Sequence, residues 1–251
     1  MLITGAASGM GACFARRFAD RGDAVGCIDA SPAVLELAAE IEAGGGSAHA
    51  VVADVTDPAA VETAAAELEG RLGPASAAVL AAGVKAAATP IAELEAAEWD
   101  RVVGVNLNGV FLTMKAVIGQ LRRAGGGSIV VISSAAGLAA GPGYAAYYAS
   151  KHGTIGLMRT AANELAADSI RVNAVCPGWV DTPMFDAEAV DMGWDRERAI
   201  REFAGDHLIK RLIEPDEIAD AVLWLASPQS SMVTGVALPV DGGALAGAFD
   251  K

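Results

Sequence analysis

The chain has 251 residues, 53% of them apolar, enough to bury the core of one large α/β domain or two small ones. Its formal net charge of −13 argues against nucleic acid and anionic membrane surfaces, which lysine and arginine would have to hold. Cys13, Cys27 and Cys176 form no close pair and His49, His152 and His207 are scattered, so neither a disulfide framework nor a metal centre is indicated, and a reducing, cytoplasmic setting fits. No early stretch has the basic-then-apolar order of a signal peptide, and no apolar run reads as a membrane span, so the chain is expected to be soluble.

Short apolar runs alternate with helical stretches from the first residue onward. Strands are predicted at 1–4, 24–29, 48–53, 77–81, 128–133, 170–176 and 235–240, and helices at 9–21, 32–43, 58–72, 100–123, 144–167 and 215–226. That order predicts an α/β fold, a doubly wound parallel sheet of about seven strands with helices on both faces. No linker interrupts it, so residues 1–251 are read as one domain. Asp57 and Pro58 stand where a cap and a first helical residue belong. The helix at 100–123 is apolar nearly all round and needs cover on more than one side, which a second copy of the chain would supply. Residues 182–213 break the rhythm with an acidic, aromatic-bearing insertion, expected to lie as a lid over a site.

"MLITGAASGMGACFARRFA" sets Gly5, Gly9 and Gly11 directly between a strand and a helix. Glycine there allows a sharp turn and close approach of the backbone to a pyrophosphate, and the helix N-terminus adds free N–H groups. Asp29 ends the second strand eighteen residues after Gly11, where a carboxylate can accept hydrogen bonds from ribose hydroxyls and repel a 2′-phosphate. No lysine or arginine stands at Ala7, Ser8 or Ala30 to hold such a phosphate, so NAD is the expected cofactor.

"YAAYYASK" places Tyr144, Tyr147 and Tyr148 seven, four and three residues before Lys151. All three spacings fall on one helix face, so spacing alone does not choose among them.

"TGAASGMG" resembles the TGxxxGxG turn of the short-chain dehydrogenase/reductase family, and the similarity runs over nearly the whole chain. The resemblance implies a Rossmann sheet whose cofactor turn is Gly5, Ser8, Gly9, Met10 and Gly11. In that family several residues usually precede this turn, whereas Met1 here already sits in the first strand; either the natural start lies upstream or the strand is short at its entry. "ADVTD" is similar to the adenine-pocket segment, with Asp54 toward the amino group and Val55 as apolar contact. "LAAG" stands at the family's NNAG, with Ala82 and Gly83 lining the cofactor; its asparagines are here Leu80 and Ala81, so the backbone tie they provide is made otherwise or absent. "NAVCPGWVDTPM" looks like the segment that turns past the nicotinamide through Pro177 and Gly178, with Val180 offering its backbone and Thr182 its hydroxyl. Trp179 would then face the substrate cavity.

The resemblance also offers two ways to read the tyrosines. Tyr147 to Lys151 is the YxxxK of carbonyl reductases and alcohol dehydrogenases, and Tyr144 to Lys151 is the YxxxxxxK of enoyl reductases. The intact TGxxxGxG, Ser134 thirteen residues before Tyr147, and Asn106 in "VNLNGVF" favour Tyr147. The implied catalytic set is Asn106, Ser134, Tyr147 and Lys151, with Ser134 and Tyr144 also touching substrate and Tyr147 and Lys151 also touching cofactor. In it Ser134 polarises the substrate oxygen, Tyr147 carries the proton, Lys151 holds the nicotinamide ribose, and Asn106 positions a water. A lysine ammonium roughly 5 Å from the phenol, at an effective dielectric near 20, would favour the phenolate by about 3 kcal/mol, on the order of two pKa units. The expected activity is NAD-dependent interconversion of a small secondary alcohol and its ketone, in a homotetramer. The alternatives are an enoyl reductase using Tyr144, an NADP-linked reductase and a non-catalytic NAD-binding sensor.

Overall fold

Seven strands lie side by side, all parallel, in the order β3-β2-β1-β4-β5-β6-β7, in a computed structural model that describes residues 1–247. They are β1 (Leu2–Thr4), β2 (Ala24–Asp29), β3 (Ser47–Val52), β4 (Ala77–Leu80), β5 (Gly127–Ile132), β6 (Ile170–Pro177) and β7 (Ala237–Val240). The central strands are apolar at consecutive positions because both faces are covered. Strand alternation sends Ile3, Val79 and Val130 to one face and Leu2, Ala78, Leu80, Ile129 and Val131 to the other.

Helices α1 (Gly9–Asp20), α2 (Ala33–Ala43) and α9 (Pro215–Ala226) cover the first face through Phe14, Phe18, Leu37, Ile218 and Val222. Helices α3 (Pro58–Leu72), α5 (Gly109–Arg123) and α6 (Ala145–Leu165) cover the second through Leu68, Val117, Leu121 and Met158. The Asp57 carboxylate accepts from Ala59 N and Ala60 N at 2.9 and 3.2 Å, with Pro58 at the first turn, so α3 begins where the sequence placed it. The strand order reverses between β1 and β4, which opens a crevice beyond their carboxyl ends.

The long helix departs from expectation in two ways. It starts earlier, as α4 (Ala96–Val103), and reaches α5 through a π-helical turn at Gly104–Asn108. The continuous span Ala96–Arg123 is, by length and composition, apolar enough to cross a membrane, although such a helix also occurs in soluble cores. It packs inward through Val102, Asn106, Val110, Met114 and Val117, while Phe111 stays 49% exposed in the single chain. The chain therefore covers one side of this helix and leaves the other open.

The insertion folds as α7 (Pro183–Asp191) and α8 (Arg196–Phe203) around a small core of its own, Phe185, Ala189, Ala199, Ala204 and Leu212. The Asp195 carboxylate caps α8 by accepting from Arg198 N at 2.7 Å.

Candidate active site

At the nucleotide end the cleft is shaped by missing side chains. Gly5 and Gly9 have φ of 69° and 51°, a region that side-chain-bearing residues rarely adopt. A methyl group on Gly11 would lie 2.0 Å from Gly5 O, so only glycine lets α1 sit this close to the turn. Ser8 precedes α1 without spending its hydroxyl on a cap, and Met10 lies in the first turn. Asp29 Oδ2 accepts from Ala7 N at 2.9 Å and Oδ1 from Ser31 N at 2.8 Å, tying the turn to the end of β2. A carboxylate offers about four acceptor positions, so Asp29 can still take ribose hydroxyls. This bare, acid-flanked cradle at a helix N-terminus fits a dinucleotide.

Across β4, Thr4 Oγ1 accepts from Ala81 N and Ala82 N at 3.1 and 3.2 Å. The tie left open by Leu80 and Ala81 is thus made by a threonine from the neighbouring strand. Gly83 faces the chemistry, since a methyl group there would lie 3.7 Å from Lys151 Nζ. Asp54 is exposed and holds Thr56 N and Oγ1, both at 2.8 Å. Val55 is 6% exposed and packs on Gly109.

The segment after β6 closes over the glycine turn. Pro177 ends the strand, and Thr182 lies 3.7 Å from where a Gly9 side chain would begin. Gly178 leaves room for His207, whose Nε2 accepts from Trp179 N at 3.1 Å while Nδ1 meets Arg211 O at 2.8 Å. Val180 bridges Ile213 through Trp179 O and Asp181 N, which keeps its own amide out of that pairing. Trp179 stacks on Phe203 at 4.0 Å and meets Phe185 edge-on at 6.3 Å, so its ring packs against the insertion and stays partly exposed.

At the catalytic end the three tyrosines part company. The Tyr147 phenol neighbours Ser134, at the exit of β5, closely enough for the serine to favour its ionised form, and its ring centroid lies 5.6 Å from Lys151 Nζ. The Tyr144 hydroxyl donates to Glu188 Oε1 on α7 of the insertion at 2.6 Å. Tyr148 turns toward the loop at Gly141. One helix thus presents Tyr147, and neither neighbour, to the serine and the lysine.

Lys151 is 5% exposed, donates to Ile132 O at 3.1 Å, and is pulled down to about 8 by burial. Burial pushes the Tyr147 phenol up from its ordinary value, opposed by the neighbouring Ser134 side chain. Burial is thus the largest influence on both groups.

Asn106 is fully buried and its amide makes three hydrogen bonds. Oδ1 accepts from Val84 N at 2.8 Å, and Nδ2 donates to Val84 O at 2.9 Å and Ser150 Oγ at 3.3 Å. Ser150 Oγ in turn donates to Tyr147 O at 2.8 Å. The side chain is a brace between the β4 exit and the helix that carries Tyr147.

The family model described as enoyl-(acyl carrier protein) reductase matches residues 5–244. Cis-4-hydroxycyclohexanecarboxylate dehydrogenase of Sinomonas cyclohexanicum is 38% identical over 242 residues, which cover 96% of this chain and 94% of that relative. The crystal structure of levodione reductase superimposes with a TM-score of 0.90 at 34% identity, covering 98% of this chain and 96% of that one. A variant of actinorhodin polyketide ketoreductase with NADPH gives 0.91 at 35% identity, over 97% and 95%. The chain belongs to the short-chain dehydrogenase/reductase family.

As a member of that family it is an oxidoreductase that binds a nicotinamide cofactor. Its relatives act on alcohols and ketones, and the family includes NADPH complexes. Sequence reasoning missed the residues that hold the reductase site in place. Ser133 Oγ donates to Lys151 O at 3.0 Å, pinning the exit of β5 to α6, and Thr154 Oγ1, on the same helix, donates to that carbonyl at 2.7 Å. Ser133 adjoins Ser134 and Thr154 lies three residues beyond Lys151, a signal that was available. For Glu188 and His207 the sequence carried no such signal. Among the described residues no group of three His, Cys, Asp or Glu could hold a metal ion.

Proposed function

We propose that this chain interconverts a secondary alcohol and its ketone with NAD(H), using Tyr147 as the acid and base. The observation that carries the reading is the meeting of Ser134, Tyr147 and Lys151 beside Gly83 at the crevice mouth. The nicotinamide, when bound, supplies or takes the hydride. Ser134 holds the substrate oxygen, and Tyr147 takes the alcohol proton or returns it to the ketone. Lys151 places a cation near the phenol and a donor near the ribose, while Asn106 and Ser150 fix the helix that carries both. Gly5, Ser8, Gly9, Met10 and Gly11 cradle the pyrophosphate. Pro177, Gly178, Val180 and Thr182 border the nicotinamide, and Tyr144 and Trp179 border the substrate.

NAD over NADP is supported by Asp29, whose carboxylate would face a 2′-phosphate. Tyr144 as the acid of an enoyl reduction is disfavoured because its proton is already donated to a buried carboxylate. The open face of α4 and α5, with Phe111 exposed, supports burial against further copies of the chain, as in a homotetramer. Cys13, Cys27 and Cys176 are all free, in keeping with a cytoplasmic enzyme.

The test is NADH formation from a panel of secondary alcohols with NAD and with NADP, on the native chain and Tyr147→Phe. Turnover with NAD, reduced at least about a hundredfold in the variant, is expected. Activity that survives Tyr147→Phe and fails in Tyr144→Phe would transfer the role to Tyr144, and preference for NADP would remove the role given to Asp29.

A further inference from the structure

Glu188 is the one acidic residue of the lid that is buried, at 6% exposure. A buried carboxylate needs donors for its oxygens, and each donor it lacks is costly. Oε1 has one in the Tyr144 hydroxyl. Oε2 stands 3.6 Å from Lys85 Nζ, an ion-pair distance longer than a hydrogen bond. The Lys85 ammonium instead donates to Ala187 O at 2.9 Å and to Asp191. Among the described residues no fully buried side-chain oxygen lacks a partner, so Oε2 is an open acceptor that solvent or a ligand can reach.

Its place ties it to the chemistry. Tyr144 lies one helical turn before Tyr147, and the Glu188 charge adds to the upward push on the Tyr147 phenol. The neighbourhood is negative on balance. Lys85 alone faces Glu188 and Asp191, while Arg101 is spent on Glu98 and Arg196 on Asp181 and Asp186.

We infer that Glu188 determines specificity: its Oε2 accepts a hydrogen bond from a second hydroxyl of the substrate, selecting neutral diols and hydroxyketones over carboxylated or phosphorylated alcohols. This rests on the alcohol and ketone reading above. A buried acceptor discriminates strongly because an analogue without the donor leaves it unpaired, and a like charge placed against it is repelled.

The test measures kcat/KM with NAD for cyclohexanol, cyclohexane-1,4-diol and 4-hydroxycyclohexanecarboxylate, on the native chain, Glu188→Gln and Lys85→Met. The native chain should favour the diol over the carboxylate by at least about tenfold. Glu188→Gln keeps an acceptor and removes the charge, so that ratio should shrink several-fold. Lys85→Met removes the compensating cation, so it should grow. Opposite shifts cannot come from loosening of the lid, which both substitutions would share. A native preference for the carboxylate, or a ratio that neither variant moves, overturns the inference. Turnover of cyclohexanol with no diol preference strikes this inference and leaves the alcohol reading standing. Failure to turn over any of the three removes the alcohol reading, and the inference with it.

Discussion

At the nucleotide end of the cleft the chain makes room by omitting side chains, and backbone groups do the holding. At the catalytic end it fills the space with buried polar side chains, each bonded to a backbone group on another element. Gly5 and Gly11 stand for the first strategy, Asn106 and Ser133 for the second. The difference teaches where each end is vulnerable. An added atom damages the cradle, whereas a removed atom damages the brace.

The sharpest way to break that contrast is Gly11→Ala. The added methyl meets Gly5 O at 2.0 Å with no flexible side chain to yield, so α1 must move off the turn. We expect a loss of about 3 kcal/mol or more in urea unfolding, with cofactor affinity falling in parallel. Near-native stability would show that the cradle is not closed by this contact.

Lys151→Met probes the other end through pH. The folded-state pKa of about 8 lies below the ordinary 10.5, so the unfolded chain binds more protons between those values. The penalty for burying the ammonium is fully present below pH 8, and native stability rises as pH climbs through that window. The native-minus-variant difference in unfolding free energy should therefore increase by up to about 3 kcal/mol from pH 8 to 10.5. The raised pKa of Cys27 slopes the opposite way but is carried by both proteins and cancels, whereas the Cys176 thiol, which Lys151 pulls down, rises further in the variant and widens the same difference. A flat difference would mean that Lys151 is not held desolvated.

Asn106→Ala leaves the Val84 N–H and carbonyl without their partner, at a cost of about 2–3 kcal/mol. If the side chain is a brace, Asn106→Asp should lose nearly as much in urea unfolding, because a carboxylate can accept from Val84 N but has no hydrogen to donate to Val84 O. Thr4→Val keeps shape and removes the acceptor for Ala81 N and Ala82 N, which should cost about 1–2 kcal/mol. An unchanged melting temperature would show that water replaces the hydroxyl there.

Much of the frame was legible because period and composition are local. Each predicted strand and helix appears within a few residues of its place, and α3 and α9 begin and end where their prolines and caps put them. The long helix was the exception. Its one-sided burial depends on what packs against it, and its π turn is fixed by Asn106 reaching Val84. The compensation for Leu80 and Ala81 was likewise out of sight, because Thr4 reaches them only after β1 and β4 pair.

The sequence by itself determined the alternation of strands and helices, the glycine turn, and the set of residues from which a hydride-transfer site could be drawn. These follow from periodicity and from chemistry that each residue carries in itself. Tertiary structure alone decided the direction of each tyrosine, the bracing role of Asn106, and the burial of Glu188 beside Tyr144. Those depend on which distant groups arrive within hydrogen-bond reach and on how much water folding removes, and neither is written in the spacing of residues along the chain.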